Sequence, residues 1–280
     1  MRTRAIQDLS CLTDDEFFVE VAEGLSLVAD NALQVNRDAR TLVEAKRMRG
    51  ARVLTVIAEE EAAKFLILLD AVRCPKDPQG RLSIHLRKYY SHLAKGIYAA
   101  YCWRRPWNFA NVKEWIERES QEYYLDGPND VDWIFRNDIV QSREDTIYVN
   151  YVENDGTHYW QRPEQLDDYT LDPDAPPASI SLVTALRDVG CTKPEALKLI
   201  AGHWRTLLIT DDLEWHTVQE VNTAMLEEMN KCSLLNVQPS SVYSKIVNGW
   251  SFPLYDLELR ETKVQKARLE EIRQNWSPEW

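Results

Sequence analysis

Long apolar runs are missing from this chain. No stretch approaches the roughly 18 uninterrupted apolar residues that a membrane span needs, so no membrane partner is expected. The opening Met1-Arg2-Thr3-Arg4, followed by Asp8, lacks the apolar core of a signal peptide, and a cytoplasmic location is the expectation. Only 9 glycines and 12 prolines occur among 280 residues, which excludes collagen-like and low-complexity chains. Five widely spaced cysteines (Cys11, Cys74, Cys102, Cys191, Cys232) form no Cys-x-x-Cys pair, so they read as reduced and structural. Gly-x-Gly-x-x-Gly, a phosphate loop, Gly-x-Ser-x-Gly and zinc-ligand spacing are all absent. Nucleotide hydrolysis and serine chemistry gain no support, and no metal or organic cofactor is expected.

The most informative absence is local. Between Asp77 and Glu114 there is no carboxylate, yet the stretch carries Arg81, Arg87, Lys88, Lys95, Arg104, Arg105 and Lys113 in a chain of net charge -12. Such an island marks a polyanion contact, while the acidity elsewhere argues against coating a duplex. A small, local contact with RNA is the reading that fits both.

Thr13-x-x-Glu16 is a capping-box signature, and Phe17, Val21, Leu25, Val28, Ala32, Val35, Ala39 and Leu42 recur behind it at helical spacing. This predicts one long amphipathic helix ending near Gly50. The segment from Ala51 to Val72 is apolar on nearly every side and must be central to a bundle. Ser83 can cap a third helix running from Ile84 to about Trp103, and a fourth is predicted from Asn111 to Tyr124. Alternation in Thr146–Val152 and Thr157–Trp160 around an Asn154-Asp155-Gly156 turn predicts a β-hairpin at about 146–161. After the break Asp172-Pro-Asp-Ala-Pro-Pro177, helices are predicted at Ser179–Val189, Pro194–Ile209, Asp212–Lys231 and Leu257–Gln274. The fold class is mainly α, with a bundle and hairpin in residues 1–170 and a C-terminal helical region in 178–280, a separate domain or the completion of the bundle.

Within the island, Arg87 and His92 stand five positions apart, about 140° around a helix. They are not stacked neighbours, but the long arginine arm lets both converge on a large target. Histidine can take a proton near neutral pH, and arginine is a permanent, fork-shaped cation for charge growing on phosphate oxygens. His85, Lys88, His92 and Lys95 fall on one line and predict a cationic stripe, opposite the apolar line Leu86, Tyr90, Leu93 and Ile97. The same pattern also fits a solvated basic helix face with His92 at the surface. Tyr89 neighbours the stripe and is the best candidate to stack an unpaired base. On the second helix, Glu59, Glu60 and Glu61 interrupt an otherwise buried face and demand partners. Glu60 and Lys64 form an i,i+4 pair in the favourable order, and arginines of the third helix could satisfy another carboxylate.

Asp30-Asn31-Ala32, Asp38-Ala39, Leu42, then Ala51, Leu54 and Ala58 leading into Glu60-Glu61-x-Ala63-Lys64 resemble the N-terminal pattern of the AbiV family of bacterial abortive-infection proteins. The family's usual Glu-Glu-x-Gly-Lys has alanine here at position 63. Ser91-His92-x-x-Lys95 resembles its basic element, and Tyr148-Val149-Asn150-Tyr151 with Trp160-x-x-Pro163 resembles its hairpin. AbiV proteins in turn resemble the HEPN superfamily, whose helical domains often dimerise and use Arg-x4-His as a metal-independent ribonuclease. The resemblance implies a HEPN-like antiparallel bundle, with Arg87 and His92 in the catalytic positions and Lys88 in the polar position after the arginine. His85, Lys95 and Tyr89 are the auxiliary RNA-contact candidates, and Glu60 and Lys64 would orient the third helix. It also implies a homodimer in which two motifs form one cleft, a toxin-like role in phage defence, and a phage-encoded or host activator protein. Many HEPN domains lack activity, so an inactive scaffold that binds a phage or host protein stands as the alternative.

Overall fold

The Thr13 hydroxyl accepts the backbone N–H of Glu16 while the Glu16 carboxylate accepts the Thr13 N–H. The capping box thus opens helix α1 (Asp14–Glu44), as the sequence indicates. In the computed structural model, residues 4–77, 79–122, 137–154, 157–163, 175–237, 240–265, 267, 268 and 271 are described. Helix α1 ends earlier than expected, because Lys46 takes a left-handed backbone and Gly50 already belongs to α2 (Met48–Arg73). Gly24 lies against Leu68 and Gly50 against Leu42, so α1 and α2 run antiparallel.

From Phe65 to Arg73 every residue of α2 is buried, which is the central position its composition demands. Each fully buried leucine, isoleucine or phenylalanine there contributes roughly 1.5–3 kcal/mol of transfer free energy. Helices α7 (Ala178–Val189), α8 (Pro194–Trp204) and α9 (Trp215–Lys231) close the far side. Their Val183, Leu186, Ile200 and Met225 share one hydrophobic cluster with α1 and α2. A further helix, α10 (Ser240–Gly249), has no counterpart in the sequence reading. Among the described residues, no helix is long and apolar enough to cross a membrane.

The third helix is where expectation and structure part. Instead of one helix over 84–103 there are α3 (Arg81–Leu86), a 3-10 turn (Arg87–Tyr90) and α4 (His92–Tyr101). Ser91 has an extended backbone and its hydroxyl accepts the Ala94 N–H, which makes it the N-cap of a new helix. Gly80, not Ser83, precedes α3. A 3-10 turn advances about 120° per residue rather than 100°, so a stripe drawn at α-helical spacing cannot persist across it.

Helix α5 (Phe109–Glu119), capped by Asn108, stops short of the expected Tyr124; residues 123–136 lie outside the described set. Helix α6 (Asp138–Ile147), capped by Asn137, takes up Thr146 and Ile147, which alternation had placed in a strand. The hairpin follows as β2 (Asn150–Asn154) and β3 (Thr157–Gln161), antiparallel, with Tyr151 opposite Trp160 and Val152 opposite Tyr159. Its turn at Asp155 and Gly156 falls outside the described residues. Gln121–Glu122 (β1) pairs in parallel with Thr262–Lys263 (β4), where a charged helix over 257–274 was expected. Residues 257–265 are not helical.

That C-terminal segment is fastened by buried polar groups. Asp70 Oδ2 accepts both the Tyr98 hydroxyl (2.6 Å) and the Leu254 N–H (2.7 Å). Arg73, ion-paired to Asp70 and packed against the rings of both Trp204 and Trp250, donates to the Ser251 carbonyl at 2.7 Å. Every one of these charges is paired or hydrogen-bonded, as burial requires. All five cysteines are free; Cys74, Cys102 and Cys191 are buried, whereas Cys11 and Cys232 are exposed.

Candidate active site

Glu60 is the hub. It projects from the middle of α2 with its side chain 16 % exposed, and three residues on two other helices send donors to it. His92, the first residue of α4, donates from Nδ1 to Oε1 at 2.7 Å. Lys95, one turn on, donates from Nζ to Oε2 at 2.6 Å. Arg143 of α6 donates from Nε to Oε1 at 2.9 Å, the same oxygen that holds the imidazole. Burial works against the charge on Glu60, but the Lys95 and His92 donors outweigh it and hold the carboxyl below the usual carboxylate range.

An ionised carboxylate at Nδ1 settles the tautomer: Nδ1 carries the proton and Nε2 is left as the basic nitrogen. The imidazole is half exposed, so Nε2 is open to an incoming group. The Lys95 ammonium also stands 3.3 Å from Nδ1. With Nδ1 protonated this is a cation beside the ring rather than a hydrogen bond. Chemically, the arrangement can accept a proton at the Nε2 edge of an imidazole fixed by a carboxylate, whose own charge Lys95 and Arg143 balance.

Gly96 explains how α6 comes so near. A methyl group there would overlap Ile139 of α6, so only glycine allows this approach of α4 and α6. Arg143 reaches Glu60 because of that contact and anchors its other end on Glu144 at 2.7 Å. The sequence reading missed Arg143. It sought partners for the glutamates among third-helix arginines and extended the hairpin strand back to Thr146. The Asn137 cap was the local signal for α6.

Several expected site residues lie elsewhere. His85 is fully buried, its Nε2–H donating to the Ile67 carbonyl at 2.8 Å, and burial pushes its pKa down to about 3. Lys88 is buried, donating to the carbonyls of Leu254 (2.7 Å) and Tyr255 (2.9 Å), with its pKa pushed down by burial to about 8. Neither belongs to a solvent-facing stripe: His85 sits on the side of α3 turned toward α2, and Lys88, on the 3-10 turn, points into the core. Lys95 is also buried and is spent on Glu60. Tyr89 is half-buried, with the Lys64 ammonium 5.3 Å over its ring and its phenol pushed up to about 12 by burial. One face of that ring is therefore covered. The expected Glu60–Lys64 pair does not form, because Lys64 turns to Glu61.

Arg87 is exposed on the 3-10 turn and has no hydrogen bond or ion pair among the described residues. It lines a cleft of about 210 Å³ with Ser91 and the segment Tyr255–Arg260, and His92 is not part of that lining. Within one chain, Arg87 and His92 thus have separate neighbours on either side of Ser91. Among the described residues no three His, Cys, Asp or Glu side chains group as a metal site.

Comparison with known proteins gives one match. The HEPN-type family model described as AbiV matches residues 20–175, more than half of the chain and the stretch that carries Glu60, Arg87, His92, Arg143 and the hairpin. No curated protein and no solved structure matches the chain.

Proposed function

Since the chain belongs to the AbiV family, with a HEPN-like, mainly α fold, we propose that it serves phage defence by abortive infection as a metal-independent endoribonuclease. The observation that carries this reading is the Glu60–His92 hydrogen bond on a half-exposed imidazole. Nε2 of His92 takes the proton of a ribose 2′-hydroxyl as O2′ forms a bond to the adjacent phosphorus. The P–O5′ bond breaks, and O5′ takes a proton from an imidazolium, that of the second copy in a homodimer. The products are a 2′,3′-cyclic phosphate end and a 5′-hydroxyl end. Arg87, whose side chain has no partner of its own among the described residues, clamps the phosphate, while Lys95 helps keep Glu60 ionised and Arg143 donates to the same carboxylate.

The test is purified protein incubated with total RNA in EDTA, beside Arg87→Ala and His92→Ala. Fragmentation by the native chain and loss of about 10²–10⁴-fold in either variant is the expected result. Intact RNA in every lane, with cellular toxicity unchanged in both variants, would instead support an inactive scaffold. That second reading has its own observation: the hairpin exposes Tyr151, Tyr159 and Trp160, a surface suited to a phage or host protein.

A further inference from the structure

We infer that the C-terminal segment Tyr255–Arg260, outside the stretch shared with the AbiV family, completes a phosphate-binding cleft opposite Arg87, and that Arg260 is a second contact for a single-stranded RNA backbone. This rests on the RNA reading of the site and adds a binding wall that the Arg-x4-His spacing does not contain.

The segment is built into the fold. Lys88 Nζ holds the Leu254 and Tyr255 carbonyls, Asp70 holds the Leu254 N–H, and Leu254, Tyr255 and Leu259 are buried. Alternate residues therefore anchor it, and Asp256, Glu258 and Arg260 turn outward along the cleft. Of the lining cations, Lys88 is spent on backbone carbonyls and Arg81 is held by Asp77 and Asp256, which leaves the guanidiniums of Arg87 and Arg260 facing the single carboxylate of Glu258. Asp256 is taken up by Arg81 at 3.2 Å. Glu258 meets Arg260 at 3.3 Å, but both side chains are more than two-thirds exposed, so that pair is worth little and yields readily to a phosphate. Arg87 has no competing carboxylate among the described residues. Two guanidiniums on the two segments that line one cleft can each grip a phosphate of a flexible strand, which their fork geometry recognises.

Binding is read with a short fluorescein-labelled single-stranded RNA in EDTA, on the His92→Ala protein so that the probe stays intact. Arg260→Glu should weaken binding about tenfold at low salt and flatten the slope of log K against log salt by about 0.7. Arg260→Lys should retain most of the affinity, and Glu258→Gln should tighten it. Arg260 is exposed, so its variants keep the native melting temperature. Loss of affinity on Arg87→Ala, with Arg260→Glu and Glu258→Gln unchanged in affinity and slope, overturns the inference and leaves the RNA reading standing. Affinities that follow the expected order, in a chain that cuts no RNA, uphold the cleft and overturn the nuclease reading. Failure of every form to bind the probe overturns both.

Discussion

Replacing Glu60 with glutamine keeps the shape of the side chain and removes its charge, which isolates what the carboxylate does. Lys95 is buried and the Arg143 side chain is about a fifth exposed. Removing the anion leaves two poorly hydrated cations facing each other beside the imidazole. Breaking a fully buried pair costs about 3–5 kcal/mol. Water reaches this cluster past His92, so a loss of about 2–3 kcal/mol is expected, with a melting temperature lower by about 3–5 °C. Urea unfolding at pH 7.5, followed by tryptophan fluorescence, measures it. Adding Lys95→Met removes one stranded cation, so the double variant should lose less than the sum of the single losses, by about 1 kcal/mol or more. A single-variant loss below about 0.5 kcal/mol, or strict additivity, would refute the hub.

Arg143→Ala should lower kcat while leaving KM nearly unchanged, because it acts through Glu60; in the Glu60→Gln background the same change should have little further effect, and full additivity in the kinetic cycle would argue for direct substrate contact instead. Gly96→Val drives a side chain into Ile139 and should destabilise by about 1–3 kcal/mol, with weaker packing of α6; an unchanged urea midpoint would show that α6 is not seated against α4. His85 is neutral when folded, with a pKa near 3, whereas the unfolded side chain protonates near 6.5. Between those values the unfolded chain binds more protons, so stability falls as the pH drops through that window. His85→Gln should remove that slope, a difference of roughly 3 kcal/mol at pH 4, and identical pH profiles for both proteins would contradict the buried assignment.

What was legible in the sequence was whatever has a local cause. The Thr13 capping box, the apolar run from Phe65 to Leu69 and the alternation of the hairpin each carry their structure within a few residues. Glu60 was half legible: its charge inside a buried helix announced a need for partners without naming them. Its partners His92, Lys95 and Arg143 lie 32, 35 and 83 residues away, and no periodicity encodes such distances. Ser91 is both a possible helix interior residue and a good N-cap. Choosing the first reading drew His85 and Lys88 onto a solvent stripe, when α3 turns His85 toward α2 and the 3-10 turn sends Lys88 inward. The covering of Lys88 by Leu254 and Tyr255 spans more than 160 residues. The charged composition of 257–265 looked helical because nothing nearby revealed the pairing of Thr262 with Gln121; within the same expected helix, residues 267, 268 and 271 are helical.

The most direct measurement is the chemistry of the RNA ends left by the purified chain in EDTA. Cleavage through the 2′-hydroxyl gives 2′,3′-cyclic phosphate and 5′-hydroxyl ends, with a single 2′-deoxy substitution at the scissile position abolishing the cut and His92→Ala abolishing all of them. Ends bearing 3′-hydroxyl and 5′-phosphate, or a His92→Ala protein that cuts at the native rate, would contradict proton transfer by the imidazole that Glu60 holds.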